Sequence, residues 1–244
     1  MKKILETLKL KWAEYLLEIL VIIIGILLAF MLNDWNDSRK QKMLEIELLH
    51  TIKSDLESAL EELEGDMAAI LESQNSGYIF KEFLMNEPIF RDSMLLHYER
   101  LNNDRQTRPK TLGYASLKSM GMDIISNDSL RLEITDTYEG IFPRIIEAGQ
   151  STEKFDIQKL LYPYYKKHFI LSDEQSDWKG LSRSLVAYKY KIKDYEKLRA
   201  DNEFLIDLQR SFEIRDRKIW LGKRGVRQIE KVMLQLDKEL EQLE

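Results

Sequence analysis

From Ile19 to Leu32 the chain reads ILVIIIGILLAFML, without one polar side chain. That length alone suits a signal-peptide core or a buried helix. The flanks favour a membrane anchor. Tyr15, Leu16 and Leu17 extend the apolar run, interrupted only by Glu18, and Trp12 and Trp35 bracket the whole. At 1.5 Å per residue these tryptophans stand about 35 Å apart, close to a hydrocarbon core plus its interfaces. Amphipathic rings prefer that boundary. A cleaved signal peptide needs small residues at the −3 and −1 positions after its apolar core, and AFMLNDW offers no such site.

The expected division is a short basic tail over 1–11, a transmembrane anchor over 12–35 and a helical extramembrane domain over 36–244. Lys2, Lys3, Lys9 and Lys11 precede the span, whereas Arg39, Lys40 and Lys42 follow it behind Asp34 and Asp37. This bias predicts a cytoplasmic N-terminus and a periplasmic domain in a bacterial inner membrane.

One face of the anchor carries Glu18, Ile22, Gly25, Ala29 and Asn33 at helical spacing, continued by Asn36. Gly25 and Ala29 form a small-xxx-small pair that lets two backbones approach. A carboxyl inside a membrane is costly against lipid and usually meets protein or water. The face is therefore expected to pack on a second transmembrane helix. The competing reading places Glu18 among headgroups, reaching water by itself.

Beyond the anchor, the 244 residues include only 10 Gly and 4 Pro, and 32% are charged, a composition that suits long helices. A net charge of −5 argues against nucleic acid as a partner. With no Cys, disulfides, cysteine-based zinc sites and thiol chemistry are excluded.

Leu49, Ile52, Leu56, Ala59, Leu63 and Ile70 fall on one seam, interrupted by Asp66. The anchor is thus expected to run on into an amphipathic helix, breaking near Asn75–Gly77. Further helices are read at Tyr78–Met85, Ile89–Leu101, Thr111–Met120 and Ser129–Glu147. The last is capped by Asn127 or Asp128 and kinked or divided at Pro143. Another starts at Ser151 and contains Pro163. Loops are read at Asn102–Lys110 and Ser172–Gly180.

From Leu181 to the C-terminus there is no proline. Leu205, Leu208, Phe212, Ile219, Val226, Ile229, Met233, Leu236, Leu240 and Leu243 form a second seam, with Arg215 and Gly222 as defects. Such a helix gains stability by burying its apolar face. The helix after the anchor is its natural antiparallel partner. The expected fold is all-α: one transmembrane helix continuing into a long amphipathic helix, then a helical bundle closed by a long C-terminal helix.

The stretch EILVIIIGILLAFMLNDWND, with Glu18, Gly25, Ala29, Asn33, Trp35 and Asn36, resembles the opening of a widespread bacterial family of uncharacterised, membrane-anchored proteins. A second stretch is similar to it through Tyr114, Leu117, Lys118, Ser119, Gly121, Ile125, Asn127, Leu130 and Tyr138. The resemblance implies membrane attachment and a helical domain, and implies no reaction.

His50, His97 and His168 lack metal-binding spacing, and no phosphate loop, nucleophile elbow or zinc-protease signature is present. No cofactor, metal or small-molecule substrate is expected. Two clusters are candidates for binding. Arg215, Arg217, Lys218, Lys223, Arg224 and Arg227 crowd around Trp220, fit for anionic headgroups if near the bilayer, or for another protein. Paired with Glu213, Asp216 and Glu230, they would be only a solvated face. Tyr162, Tyr164, Tyr165 and Phe169 lie beside Lys166 and Lys167, as core or as a contact patch.

The leading functional expectation is a membrane-anchored scaffold or interaction protein without catalysis. Its partners are the bilayer and a second copy or another membrane protein. The alternative is an accessory subunit of an energised transport or motility complex, with Glu18 in proton movement. An enzyme with a scattered site is a third class.

Overall fold

The computed structural model describes residues 12–149, 156–175 and 188–244. Its axis is α1, Trp12–Asn86, an unbroken helix of 75 residues about 112 Å long. The expected break at Asn75–Gly77 is absent, because tertiary packing overrides the turn residues there. A Cβ on Gly77 would lie 2.5 Å from Phe212 Cε1, so glycine permits a close helix approach. Beside it Gln74 donates to Asp216 Oδ1 at 2.7 Å. The helix ends at Asn86, just before Glu87-Pro88.

Shorter helices pack on α1: α2, Met94–Leu101, then α3, Leu112–Met120. The first is shorter than Ile89–Leu101. The loop between them includes the polar stretch NNDRQTRPK. Gly121 stops α3 at φ +117°, a conformation unfavourable to side-chain-bearing residues. A short 3₁₀ turn follows at Met122–Ile124.

Asn127 caps α4, Asp128–Thr135, accepting from the N–H groups of Ser129 and Leu130. A π-helical turn over Asp136–Ile141 leads into α5, Phe142–Gly149. There Phe142 N–H reaches back five residues to Thr137 O. The wide turn stands just before Pro143, whose missing N–H and bulky ring disfavour regular α-helical bonding to Glu139. The expected kink thus takes this form.

Next come α6, Ile157–His168, capped by Asp156 and containing Pro163, and a hairpin of β1, Phe169–Gln175, with β2, Tyr188–Ile192. These strands are antiparallel, with Phe169 opposite Ile192 and a register shift between Leu171 and Gln175. Over Ser172–Gln175 the hairpin corrects the loop expected from Ser172. The period-two alternation of YKYKI marks β2. The expected helix start at Ser151–Phe155 lies outside the described residues. The chain closes with α7, Tyr195–Arg199, and α8, Asn202–Leu243.

The long C-terminal helix runs antiparallel to α1. Lys81 meets Gln209, Gln74 meets Asp216, Lys53 meets Asp237 and His50 meets Glu244. At Gly222 a Cβ would lie 2.5 Å from Met67 Sδ, and at Gly225 one would lie 2.9 Å from Leu63 Cδ2. Gly222, a defect in the seam, is where the helices come close.

Two apolar cores result. The nearer one joins Leu49, Ile52, Leu56 and Leu63 to Leu117, Ile134, Ile141, Ile229 and Leu236. The farther one is aromatic, gathering Phe80, Tyr98, Tyr164, Phe169, Phe204 and Phe212. The fold is all-α, with a small hairpin at the end remote from the bare part of α1.

Candidate functional site: a bare helix and the body above it

From Leu16 to Met43 every side chain of α1 is exposed. Burial begins at Leu44 and Glu45. This segment is long and apolar enough to cross a membrane, and none of its apolar window is buried. A core helix in a soluble protein would be covered by its own fold. Trp12 and Trp35 are exposed at its two ends.

Glu18, Ile22, Gly25, Ala29 and Asn33 share one open face. A Cβ on Gly25 would meet nothing within 4 Å, and Asn33 donates along the helix to Asp37 at 3.0 Å.

The structure divides the basic stretch of α8. Arg215 is fully buried and donates to Leu101 O, to Asn103 O at 3.4 Å and to Ser211 Oγ at 3.2 Å. Burial lowers its pKa to about 10, while Asp104 opposes the shift. Lys218 is also buried and holds both oxygens of Asp104 at 2.7 Å. These two cations turn inward and pin the Leu101–Asp104 segment. Arg217, Trp220, Lys223 and Arg227 face outward, with Arg224 half-exposed. This stretch lies opposite Leu63–Gln74, so Trp220 stands about 50 Å beyond Trp35 along α1. That height disfavours headgroup contact by an upright helix.

Of the carboxylates envisaged for a purely solvated face, Asp216 is engaged by Gln74 at 2.7 Å.

Sequence reasoning missed a row of anchoring carboxylates along α1. Glu45 accepts from Ser126 N–H and Oγ at 2.7 and 2.9 Å. Asp55 accepts from Gly113 N–H at 2.7 Å. Glu62 accepts from Arg108 N–H at 3.0 Å, and Asp66 from Thr107 Oγ1 at 2.8 Å. Asp66 interrupts the seam because it holds this loop. Acidic residues at positions where an apolar one is due were the available signal.

The aromatic cluster also divides. Tyr164 and Phe169 are buried, Tyr165 is half-buried, and Tyr162 is exposed beneath Lys166 at 4.8 Å. Of the histidines, His50 meets Glu244 at the surface, and His168 is buried on Asp201. Burial, then Arg100, lowers the pKa of His97. Among the described residues no group of three or more metal-ligating side chains is gathered.

The second motif stretch serves the fold. Tyr114 stacks on Tyr138 at 4.6 Å between ring centres. Lys118 pairs with Glu139 at 2.8 Å, and Asn127 donates to Glu239 of α8 at 2.5 Å. A model described as Family of unknown function (DUF6090) matches residues 18–160.

The chain belongs to this family.

An uncharacterised family is what the resemblance implied. The DUF6090 match begins at Glu18 in the bare segment, takes in the rest of α1 and ends in α6. It stops short of α8, the helix that completes both cores. Comparison with curated proteins and with solved structures finds no match.

Proposed function

We propose that this DUF6090 chain is a membrane-tethered interaction protein of a bacterial inner membrane. The segment between Trp12 and Trp35 crosses the bilayer, the N-terminus lies in the cytoplasm and the helical body stands in the periplasm. Copies associate in the membrane through Glu18, Ile22, Gly25, Ala29 and Asn33. The role is binding rather than catalysis.

One observation carries the reading: an apolar segment that none of the described residues buries passes without a break into a well-packed body. Leaving its aliphatic side chains in water would forfeit the burial that stabilises apolar groups, about 1.5–3 kcal/mol for each large one. A bilayer restores it. Many polar groups of the body, by contrast, are engaged within the chain itself, as at Glu45, Asp55, Asp66 and Lys218.

The test is cross-linking of native membranes, followed by purification in mild detergent. The reading expects a self-cross-linked species that Gly25→Leu or Ala29→Leu abolishes while the chain stays in the membrane fraction. A chain that is monomeric and without companions would remove the interaction role.

A further inference from the structure

Between the apolar segment and the body, α1 forms a short neck. From Asn36 to Met43 every side chain is exposed, and burial begins only at Leu44 and Glu45. Glu45 accepts from Ser126 N–H at 2.7 Å and so belongs to the body. It stands about 15 Å beyond Trp35 along the helix. The neck reads NDSRKQKM and carries three cations, Arg39, Lys40 and Lys42.

These cations are not equivalent. Trp35, Arg39 and Lys42 recur at spacings of four and three, so they share one stripe about 60° wide on the helix. Trp35 is 64% exposed. Lys40 is turned about 135° from the middle of that stripe, and it meets Asp37 at 3.8 Å. Asp37 also accepts from Asn33 at 3.0 Å. Asp34 and Asp37 lie about 105° and 165° round from the stripe. The neck therefore has a basic face and an acidic one. Height separates them further from the body. Arg39 stands about 6 Å and Lys42 about 10 Å beyond Trp35. With Trp35 at the hydrocarbon boundary, both long side chains reach a headgroup layer about 5–7 Å thick.

We propose that the Trp35–Arg39–Lys42 stripe binds the headgroup of an anionic phospholipid in the leaflet next to the body. The proposal rests on the membrane-tethered reading, which sets the height. A guanidinium offers phosphate a planar fork of donors, and a lysine adds a mobile point charge. The indole N–H of Trp35 supplies a donor at the depth where the lipid turns from polar to apolar. The stripe continues the lipid-facing side of the span, which is why a lipid fits it better than a soluble ligand. The face through Gly25 and Ala29 is centred about 110° away, so two spans paired there leave the stripe open to lipid. Headgroup contact is thus assigned to the neck, and not to the basic stretch around Trp220 far above it.

Fluorescence of the full-length chain in vesicles of equal phosphatidylglycerol and phosphatidylcholine tests this. Trp12→Phe, Trp178→Phe and Trp220→Phe leave Trp35 alone of the four tryptophans. Quenching is compared with brominated acyl chains on one lipid and then on the other. The anionic lipid is expected to quench as though enriched about fivefold beside Trp35. Arg39→Gln together with Lys42→Gln is expected to bring that ratio to about one, whereas Lys40→Gln is expected to stay within about twofold of the parent. All three positions are exposed in the neck, so a body that melts as the parent does certifies the fold. A parent without preference, a double variant that keeps it, or a Lys40→Gln variant that loses as much as the double would overturn the proposal. If such chains still float with the vesicles, only the stripe has failed. Chains that do not float would bring down the tethered reading and the stripe with it.

Discussion

Asp201 Oδ2 stands 2.5 Å from Nε2 of the buried His168, tying the last turn of α6 to the start of α8. The same carboxylate meets Lys167 at 2.9 Å and caps α8 through Phe204 N–H at 3.2 Å. Burial pushes Asp201 up, but hydrogen bonds from Lys167, His168 and Phe204 outweigh it and bring its pKa from 3.8 to about 2. A carboxylate lowered on folding stabilises the fold above its unfolded pKa. That contribution is lost as pH falls through the folded value. Melting temperature is therefore expected to drop between pH 3.8 and about pH 2. The drop is expected to be smaller in Asp201→Asn. At neutral pH the variant is expected to be less stable by about 1–3 kcal/mol. Thermal denaturation across that window checks both.

The inward and outward members of the basic stretch are expected to respond differently. Lys218→Met leaves Asp104 without its cation, with side-chain exposures of only 4% and 11% at the pair. Removing one partner of a buried pair costs about 3–5 kcal/mol. Arg227→Met removes an exposed group and is expected to stay within about 0.5 kcal/mol. Urea denaturation of both variants decides the point, and equal costs would contradict the division.

Three glycines of α1 and α3 separate space from propensity. A Cβ on Gly113 would lie 2.8 Å from Ile52 N, where backbone must shift, so Gly113→Ala is expected to cost about 1–3 kcal/mol. Gly65 is helical with open space around it, so Gly65→Ala is expected to gain up to about 1 kcal/mol. Gly25→Ala is expected to leave the melting of the body unchanged, since that segment touches none of it. Calorimetry of the three variants ranks them.

The two seams made the frame legible, because Leu49–Ile70 and Leu205–Leu243 repeat at the period of a helix that buries one face. Asn127 as a cap, Gly121 as a stop and the disturbance at Pro143 were legible for the same local reasons. Gly77 misled, since a glycine after Asn75 and Ser76 has the chemistry of a turn until Phe212 arrives from 135 positions away to fill its place. Arg215 and Lys218 looked like surface charge because sequence spacing does not reveal that the Leu101–Asp104 carbonyls and carboxylate lie behind them.

Glu18 separates the two functional expectations. Glu18→Gln keeps shape and removes charge, so an interaction protein is expected to stay in the membrane and to cross-link undiminished. Loss of function with association intact would favour proton movement through an energised complex. Paired cross-linking and growth measurements on this one variant distinguish them.

The central claim is that the segment between Trp12 and Trp35 lies in lipid. Gentle lysis without detergent, a carbonate wash and sedimentation test it most directly. The intact chain is expected in the pellet, released by detergent alone, with Ile23→Arg weakening retention by about 2.5–3.5 kcal/mol. Recovery of the intact chain in the soluble fraction, with residues 12–43 protected from protease by the body, would contradict it.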